Sequence, residues 1–137
     1  MSDWTVTATK VGLLPGQKVR RKQMAVAASL GDVCYNNSSG KLAKGDASAA
    51  GTASGQLFVV VAGAKGNTSG TVAADEWVTA VWMGPIPGFT SLDETKQYFL
   101  SDAAGKGADT AGTVNRVLGY PDSETVFMFS PGKDYPS

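Results

Sequence analysis

A strand, turn and strand pattern at positions 32–44 constrains the fold more than any other part of the chain. The apolar triplet near its start favours a half-buried strand, and the polar run that follows cannot continue that strand. Gly40 then offers the positive φ that a chain reversal needs. The same order of residue types returns sixty-five positions later, at 98–106, where Gly105 takes the place of Gly40. Two hairpins of one design predict a duplicated or pseudo-symmetric β fold.

Turn residues divide the remainder of the chain into short segments. The 137 residues include 17 glycines and 6 prolines, which indicates many turns and no long helix. The segments 4–8, 57–62 and 76–83 are typical of strands, and 57–62 is apolar enough to be buried on both faces. We therefore predict an all-β fold, a small β-barrel or sandwich of about seven to nine short antiparallel strands.

One segment is expected to lie outside these strands, and two others allow a short helix. Positions 84–88 contain two prolines, which lack the backbone donor that a β-ladder requires. Positions 18–28 end in small residues and allow a short helix. Positions 89–96 contain an acidic pair and allow one helical turn.

Charge separates two parts of the predicted single domain, 1–137. Residues 1–22 carry five bases and one acid, a sum of +4, whereas residues 23–137 carry seven bases and eleven acids, a sum of −4. We therefore expect a basic, extended N-terminal arm or edge segment at 1–22, a β body at 23–131 and a polar tail at 132–137.

The most concentrated charge in the chain is a basic cluster formed by Lys18, Arg20, Arg21 and Lys22. Three functions fit such a cluster. It can protect an exposed strand edge against aggregation, dock on an acidic protein surface, or bind nucleic acid. Nucleic acid is not an expected partner, because the body is acidic and the cluster has no interleaved aromatic residues for base stacking.

Histidine is absent, which excludes the Ser-His-Asp and Cys-His classes of enzyme. Cys34 is the only cysteine, so an internal disulfide is excluded, and its place in a predicted strand favours a buried thiol. No apolar run is long enough to span a bilayer, and the first residues lack the layout of a signal peptide. We expect a soluble protein made in a reducing compartment, with no membrane partner.

Carboxylates offer no obvious catalytic arrangement. Neighbours in an extended chain point to opposite faces, so neither Asp75–Glu76 nor Asp93–Glu94 could flank one glycosidic bond, although one acid from each pair could. The loop aspartates lack the spacing of a calcium-binding loop, and the glycine-rich loop 63–70 lacks the Gly-Lys-Ser/Thr order of a phosphate loop. We predict that the chain is not an enzyme and uses no metal or cofactor.

Two regions of the chain resemble one protein family. The segment 31–47, which reads GDVCYNNSSGKLAKGDA, resembles the "GDVVY, short polar turn, GK, A-K-A-D-A" segment of tailed-phage capsid decoration (cement) and head-fibre proteins. The closing "YLS, G, VGYA, I-F-x-P" sequence of such domains is similar to YFLS at 98–101, Gly105, VLGY at 117–120 and VFMFSP at 126–131. The resemblance covers about residues 29–131, and it consists of strands and turns rather than a catalytic signature.

The resemblance implies a structural virion protein of a tailed bacteriophage. Such a domain binds the outer surface of an assembled icosahedral head, commonly as a homotrimer, and stabilises the capsid against the pressure of the packaged DNA. It implies the major capsid protein and further copies of the chain as partners, and it implies synthesis in the host cytoplasm followed by assembly onto the virion. The prolines at 84–88 and the basic segment at 1–22 depart from the family pattern, so the docking mode does not follow from the resemblance.

Residues outside the two hairpins are the candidates for contacts. We expect 4–10 to add as an edge strand to a sheet of the capsid or of a neighbouring subunit, while the bases at 18–22 pair with acidic capsid groups. The predicted capsid-binding residues are Trp4, Val6, Lys10, Lys18, Arg20, Arg21 and Lys22. The predicted oligomer interface is an apolar set, Trp77, Trp82, Ile86 and Phe89.

The alternative function is a receptor- or carbohydrate-binding module of a phage head fibre or tail fibre. In that case Trp77, Trp82 and Tyr120 would stack on sugar rings. Buried tryptophans would favour the decoration protein, and exposed, coplanar ones would favour sugar binding.

Overall fold

The computed structural model describes residues 3–66 and 68–131, together with the backbone of 133–134. Short strands dominate this part of the chain, and the two helical segments are single 3-10 turns, Ala8–Lys10 and Ala50–Thr52. The strands are β1 (Thr5–Val6), β2 (Lys18–Gln23), β3 (Ala28–Ser29), β4 (Val33–Asn36), β5 (Leu42–Lys44), β6 (Gly55–Ala62), β7 (Thr71–Val72), β8 (Trp77–Pro87), β9 (Phe89–Thr90), β10 (Tyr98–Leu100), β11 (Gly107–Ala108), β12 (Val117–Pro121), β13 (Val126–Phe129) and β14 (Lys133–Asp134). The predicted all-β fold is confirmed.

One curled antiparallel sheet contains most of these strands. Its main path of eight strands runs β11-β10-β12-β13-β8-β6-β4-β5, while β2 pairs with β8 and β14 pairs with β6. The long strand β8 joins the two halves of the path. Its first part pairs with β2 and β6, and its last four residues pair with β13. A small barrel or sandwich of about this many strands was predicted from the turn pattern.

The half of the sheet that contains β2 nearly closes on itself. Met24 directly follows β2 and makes a parallel bridge with Leu42 on β5. The next backbone N–H, from Ala25, donates to the Leu42 carbonyl at 2.7 Å. Met24 and Leu42 are both fully buried. Strands β2, β8, β6, β4 and β5 therefore surround an apolar interior, and β2 lies where this ring of strands is least complete.

Both predicted hairpins are present. Strands β4 and β5 pair around the turn that contains Gly40, and β10 and β11 pair around the turn that contains Gly105. The Gly105 N–H donates to the Gly45 carbonyl at 2.7 Å, and the Gly105 carbonyl accepts from the Val33 N–H at 2.9 Å. The second turn is therefore packed against the base of the first hairpin, whereas Gly40 is exposed. The two hairpins are alike in shape but do not occupy equivalent positions.

The prediction that 84–88 stays outside the ladder is wrong for its first four residues. Gly84 to Pro87 pair with β13, with Ile86 opposite Phe127. Pro85 and Pro87 are two positions apart, so their missing donors fall on one edge of the strand and leave Ile86 to bond with β13. The Gln17 side-chain amide donates to the Pro85 carbonyl at 2.8 Å. Because backbone donors alternate between the two edges of a strand, two prolines two positions apart are compatible with the end of β8, which has a ladder partner on one edge.

The predicted extended arm is instead part of the folded body. Strand β1 pairs with β9, and the Trp4 N–H donates to the Gly107 carbonyl at 2.7 Å. The Trp4 side chain is 6% exposed and packs on three aromatic rings. Its ring centroid lies 4.7 Å from that of Phe89, 6.4 Å from Tyr98 and 5.1 Å from Phe127. Burial of so large an apolar ring stabilises the docked segment, so it does not project from the body.

A buried arginine links the two halves of the sheet. Arg116 directly precedes β12 and is fully buried. Its guanidinium donates to the Ala53 carbonyl at 3.1 Å and to the Gly55 carbonyl at 2.8 Å. Because Gly55 begins β6, these bonds connect β12 to a strand that is not its neighbour in the sheet. No motif in the sequence indicated this role.

Other predictions have mixed outcomes. Strand β6 is buried on both faces as predicted, since each residue from Leu57 to Val61 is at most 2% exposed. The short helices considered at 18–28 and 89–96 do not form, because these segments contribute β2, β3 and β9. Of the predicted tail, 133–134 forms β14 against β6, and the rest lies outside the described residues. The described residues include no helix with the length and apolar character needed to cross a membrane.

Candidate interaction surface

Strand β2 presents an open backbone edge at the surface. It pairs with β8 from Lys18 opposite Met83 to Gln23 opposite Trp77, and no other strand in the described part of the chain pairs with it. Its first four residues are exposed, and among them Val19 is 45% exposed although it is apolar. An open edge of this kind is a template to which another strand can add.

Basic side chains project from both faces of β2. Arg20 and Lys22 lie on one face and Arg21 on the other, because side chains alternate along a strand. The ion pairs of the described residues involve other lysines, and none includes Lys18 or the three bases after it. The positive charge of β2 is therefore not neutralised by any carboxylate within 4.0 Å in the described ranges 3–66 and 68–131.

Two aromatic rings lie beside these bases. Lys18 Nζ lies 5.4 Å from the centroid of the Trp82 ring, and Lys22 Nζ lies 5.8 Å from that of Phe58. Contacts of this kind contribute about 0.5–1 kcal/mol at exposed sites, and the lysine stems also cover apolar surface. No aromatic residue is interleaved with the cluster in the sequence. The neighbouring strands β6 and β8 supply them in the folded chain.

A hollow of about 310 Å³ lies at the carboxyl end of β2. Its walls come from the last residues of β2, from Trp77 on β8 and from the turn between β4 and β5, which contributes Lys41. Trp77 is 50% exposed, so much of its ring is open to a partner. Arg21 and Lys41 together with this ring suit a carboxylate that is attached to an apolar group.

Asp75 holds the walls of this hollow together. It adopts a left-handed conformation, with φ of +67°, in the turn before β8. Its carboxylate pairs with Lys41 Nζ at 3.0 Å, and its carbonyl accepts from Gln23 Nε2 at 2.9 Å. The ion pair is exposed and contributes little to stability by itself. Backbone bonds also join these segments, because the Ala25 N–H donates to the Leu42 carbonyl at 2.7 Å and the Asp75 N–H to the Met24 carbonyl at 2.8 Å. The hollow is therefore formed before a ligand arrives.

Only part of the predicted capsid-binding set lies on this surface, namely Lys18, Arg20, Arg21 and Lys22. The prediction that Trp4 and Val6 form a free contact strand is wrong. Trp4 is in the core, and Val6 is half-buried with its backbone already paired to Phe89. Lys10 is exposed but lies elsewhere, at the rim of a different hollow that Glu124 also lines.

The predicted oligomer interface is not one surface. Ile86 and Phe89 are 0% and 3% exposed within this chain, so the prediction that they contact a second copy is wrong. The pairing of the end of β8 with β13 places Ile86 inside the body, and the pairing of β9 with β1 places Phe89 against the Trp4 ring. Trp82 is partly buried under Lys18, and Trp77 remains the most accessible member of the set.

The residues proposed to stack on sugar rings are also dispersed. Trp77 and Tyr120 are each about half exposed, on β8 and β12 respectively, and Trp82 is partly buried. The ring contacts within the described residues all involve other aromatic side chains. The surface therefore offers an exposed tryptophan in a basic hollow rather than a row of stacked rings.

The adjacent carboxylates have separate structural roles. Glu76 accepts from the N–H groups of Ala64 at 2.8 Å and Ala73 at 2.9 Å, and Asp93 accepts from the hydroxyl and N–H of Thr95. The Ala73 donor is the largest cause of a lowered pKa at Glu76, and the Thr95 hydroxyl is the largest cause at Asp93. A general acid needs a raised pKa, so these shifts have the opposite direction.

Cys34 is fully buried, as predicted from its place in a strand. Burial raises the pKa of the Cys34 thiol, and the nearby Asp32 carboxylate raises it further. The described residues contain no group of three or more His, Cys, Asp or Glu side chains placed to hold a metal ion.

A larger hollow, of about 740 Å³, lies beside β3 and β7, and two of the three charged side chains that line it already have structural partners. The Glu76 carboxylate binds two backbone N–H groups, and Lys44 pairs with Asp32 at 3.6 Å. We therefore regard the smaller hollow next to β2 as the better candidate site. Sequence reasoning missed it, because the register that places Trp77 opposite Gln23 cannot be read from the chain.

The chain matches no protein-family model, no curated protein and no solved structure. Its function is therefore inferred from the resemblance of its hairpin segments and from the surface around β2.

Proposed function

We propose that this chain is a structural virion protein that binds the outer surface of a tailed-phage head and stabilises the capsid, with the exposed basic edge of β2 as its contact surface. The resemblance over residues 29–131 supports the class of protein. The observation that supports the mode of attachment is the open, unneutralised basic strand Lys18–Gln23. The partner would be an acidic surface of the major capsid protein.

The charges of β2 account for specificity and rate of attachment better than for its strength. An exposed ion pair contributes only about 0.2–1 kcal/mol, and salt screens it. Complementary charge nevertheless steers the approach of two surfaces and disfavours wrong partners. Strong attachment would need in addition a buried contact within the interface, such as one made by Trp77.

Binding to heads tests this proposal. The purified chain is added to heads of the virus that carries its gene, and occupancy is measured by cosedimentation and by electron cryomicroscopy. The temperature at which the heads release their DNA is measured with and without the chain. We expect saturable occupancy and a higher release temperature. If the chain neither binds nor shifts this temperature, the proposal is rejected.

A charge-reversal variant tests the surface. The double substitution Arg20→Glu and Arg21→Glu should lower the affinity for heads at least tenfold. The matched control is Lys65→Glu with Lys106→Glu, which changes the net charge equally at two exposed lysines away from β2. An equal loss in both variants would indicate a general charge effect and would contradict a specific role of β2.

Self-association remains part of the proposal, with a corrected surface. A homotrimer on the head cannot use Ile86 or Phe89, because both are buried in the single chain. Trp77 and Trp82 remain available in part. Multi-angle light scattering of the free chain and the symmetry of its density on heads test this state together. Monomeric density bound to the heads would contradict it.

Carbohydrate binding is the second candidate, and the half-exposed ring of Trp77 beside Arg21 and Lys41 is the observation that favours it. The ligand would be an acidic saccharide, since the hollow is basic. Binding of uronic-acid or sialic-acid oligosaccharides that is lost in Trp77→Ala, without binding to heads, would favour this candidate over the decoration protein.

A further inference from the structure

We propose that the ligand of β2 is an extended acidic protein segment, which adds to its open edge as a strand and places one carboxylate in the hollow beside Trp77. This inference rests on the proposed function in one respect, namely that the capsid protein supplies the segment. It specifies the conformation and the chemistry of that segment.

The backbone of β2 supports strand addition. Its register with β8 is continuous from Val19 to Gln23, and the irregularity lies at the other end, between Lys18 and Val19. These five consecutive residues of regular strand, of which Val19, Arg20 and Arg21 are exposed and the last two half-buried, can bond to a partner through alternate N–H and carbonyl groups. These groups lie on the edge opposite β8, where no other described strand pairs with β2, and the bridge from Met24 to Leu42 on β5 bounds this edge at its carboxyl end.

The charge of β2 selects the kind of strand that can add. Two β2 strands from different copies would bring like charges together, which disfavours pairing of the chain with itself. An acidic strand has the complementary charge, and no described carboxylate competes for the bases within 4.0 Å. Because Arg20 and Lys22 lie on one face and Arg21 on the other, the segment needs acidic residues on both of its faces.

The hollow supplies the anchor of this contact. Tryptophan and arginine in a preformed depression are the residue types that dominate binding energy at interfaces. Trp77 stands opposite Gln23 at the end of β2, and Lys41 on the other wall of the hollow pairs with Asp75 at 3.0 Å. At the other end of β2, Val19 and Met83 are exposed apolar side chains. We therefore expect the segment to be acidic near Trp77 and to carry an apolar residue near Val19.

Peptides with blocked backbone donors test this inference. The parent probe is a capped ten-residue peptide in which six residues are Asp or Glu and the others are Val or Thr. Two derivatives carry N-methyl groups, one at the odd positions and one at the even positions. An added strand points only every second N–H toward β2, so one derivative should bind at least tenfold more weakly and the other about as well as the parent. Isothermal titration calorimetry measures the three affinities.

Two aromatic variants locate the anchor. Trp77→Ala should weaken binding of the parent peptide at least tenfold, whereas Tyr120→Ala, which removes an equally exposed ring on β12, should leave the affinity unchanged. Circular dichroism and urea unfolding establish that both variants are folded. Equal affinities in the two variants would overturn the role of the hollow.

The remaining outcomes are each decisive. Equal binding of both N-methylated peptides would overturn strand addition, because simple charge attraction does not depend on backbone donors. No binding of the parent peptide would overturn the inference as well. An oligonucleotide that binds more tightly than the peptide, with the same dependence on Trp77, would assign the surface to nucleic acid. Head occupancy is measured separately, so binding to heads without peptide binding rejects this inference and leaves the proposed function standing.

Discussion

Gly40 and Gly105 have the same φ, +78°, in the turns of two similar hairpins, yet only Gly105 lies against a neighbouring side chain. A Cβ atom on Gly105 would lie 3.0 Å from Cγ and Oδ1 of Asp32. A Cβ atom on Gly40 would meet nothing within 4 Å. Asp32 cannot move away freely, since its carboxylate accepts from the Ser29 N–H at 3.0 Å and lies 3.6 Å from Lys44 Nζ.

This relationship predicts different costs for one substitution. Gly40→Ala should lower the free energy of unfolding by about 1 kcal/mol, the cost of a left-handed conformation for alanine. Gly105→Ala should cost about 1–3 kcal/mol more, because the added methyl group displaces the Asp32 carboxylate. Urea unfolding of the two variants measures the difference. Equal costs would show that the contact with Asp32 is relieved without loss.

Trp4→Ala should lower the free energy of unfolding by about 3–5 kcal/mol, since it removes a buried ring that contacts Phe89, Tyr98 and Phe127. Thr5→Ala is a suitable control, because it alters an exposed side chain on β1. Chemical denaturation measures both variants. A cost below about 1 kcal/mol for Trp4→Ala would show that the first residues are not part of the cooperative core.

Glu76→Gln should destabilise the fold by about 1 kcal/mol at pH 7, because the amide keeps one acceptor for the two N–H groups of Ala64 and Ala73. The pKa of Glu76 is lowered in the folded state from its ordinary value near 4.5. Its stabilising contribution is therefore complete above about pH 4.5 and is lost as the pH falls through the folded pKa. The stability difference between wild type and Glu76→Gln should shrink toward pH 3. A difference that stays constant with pH would contradict this role.

Arg116→Lys should lower the free energy of unfolding by about 2–4 kcal/mol although the charge is kept. A lysine cannot reproduce the planar guanidinium that bonds to the carbonyls of Ala53 and Gly55. Lys96→Arg provides the reverse exchange at an exposed position and should be nearly neutral. Thermal unfolding followed by circular dichroism compares them. A neutral Arg116→Lys would mean that a point charge satisfies this site.

Local pattern was sufficient to predict the fold class and the hairpins. A glycine in a turn indicates a positive φ, and the apolar run Leu57 to Val61 indicates a strand that is buried on both faces. Both features can be read directly from the residue types. Proline was misleading, because the rule against Pro85 and Pro87 in a ladder depends on which edge of the strand faces a partner. That edge is a property of the whole sheet.

The candidate surface was predicted only in part for a similar reason. The basic residues of β2 are visible in the sequence, but their exposure depends on β2 being an edge strand. Trp4 and Phe89 are large apolar residues of the kind found at interfaces. Only the tertiary arrangement shows that their rings pack on each other, with ring centroids 4.7 Å apart. The hollow at Trp77 needs the register of β2 with β8 and the position of the β4–β5 turn, neither of which follows from residue types alone.

The position of Trp4 has a consequence for synthesis of the protein. Phe127, one of the three rings that cover it, is made 123 residues later, so at about 5–20 residues per second the tryptophan waits at least several seconds without its full set of partners. During that time a chaperone or a neighbouring chain can reach the exposed aromatic ring. We expect folding to finish only after residue 127 has left the ribosome, and premature termination before that point to yield chains that aggregate.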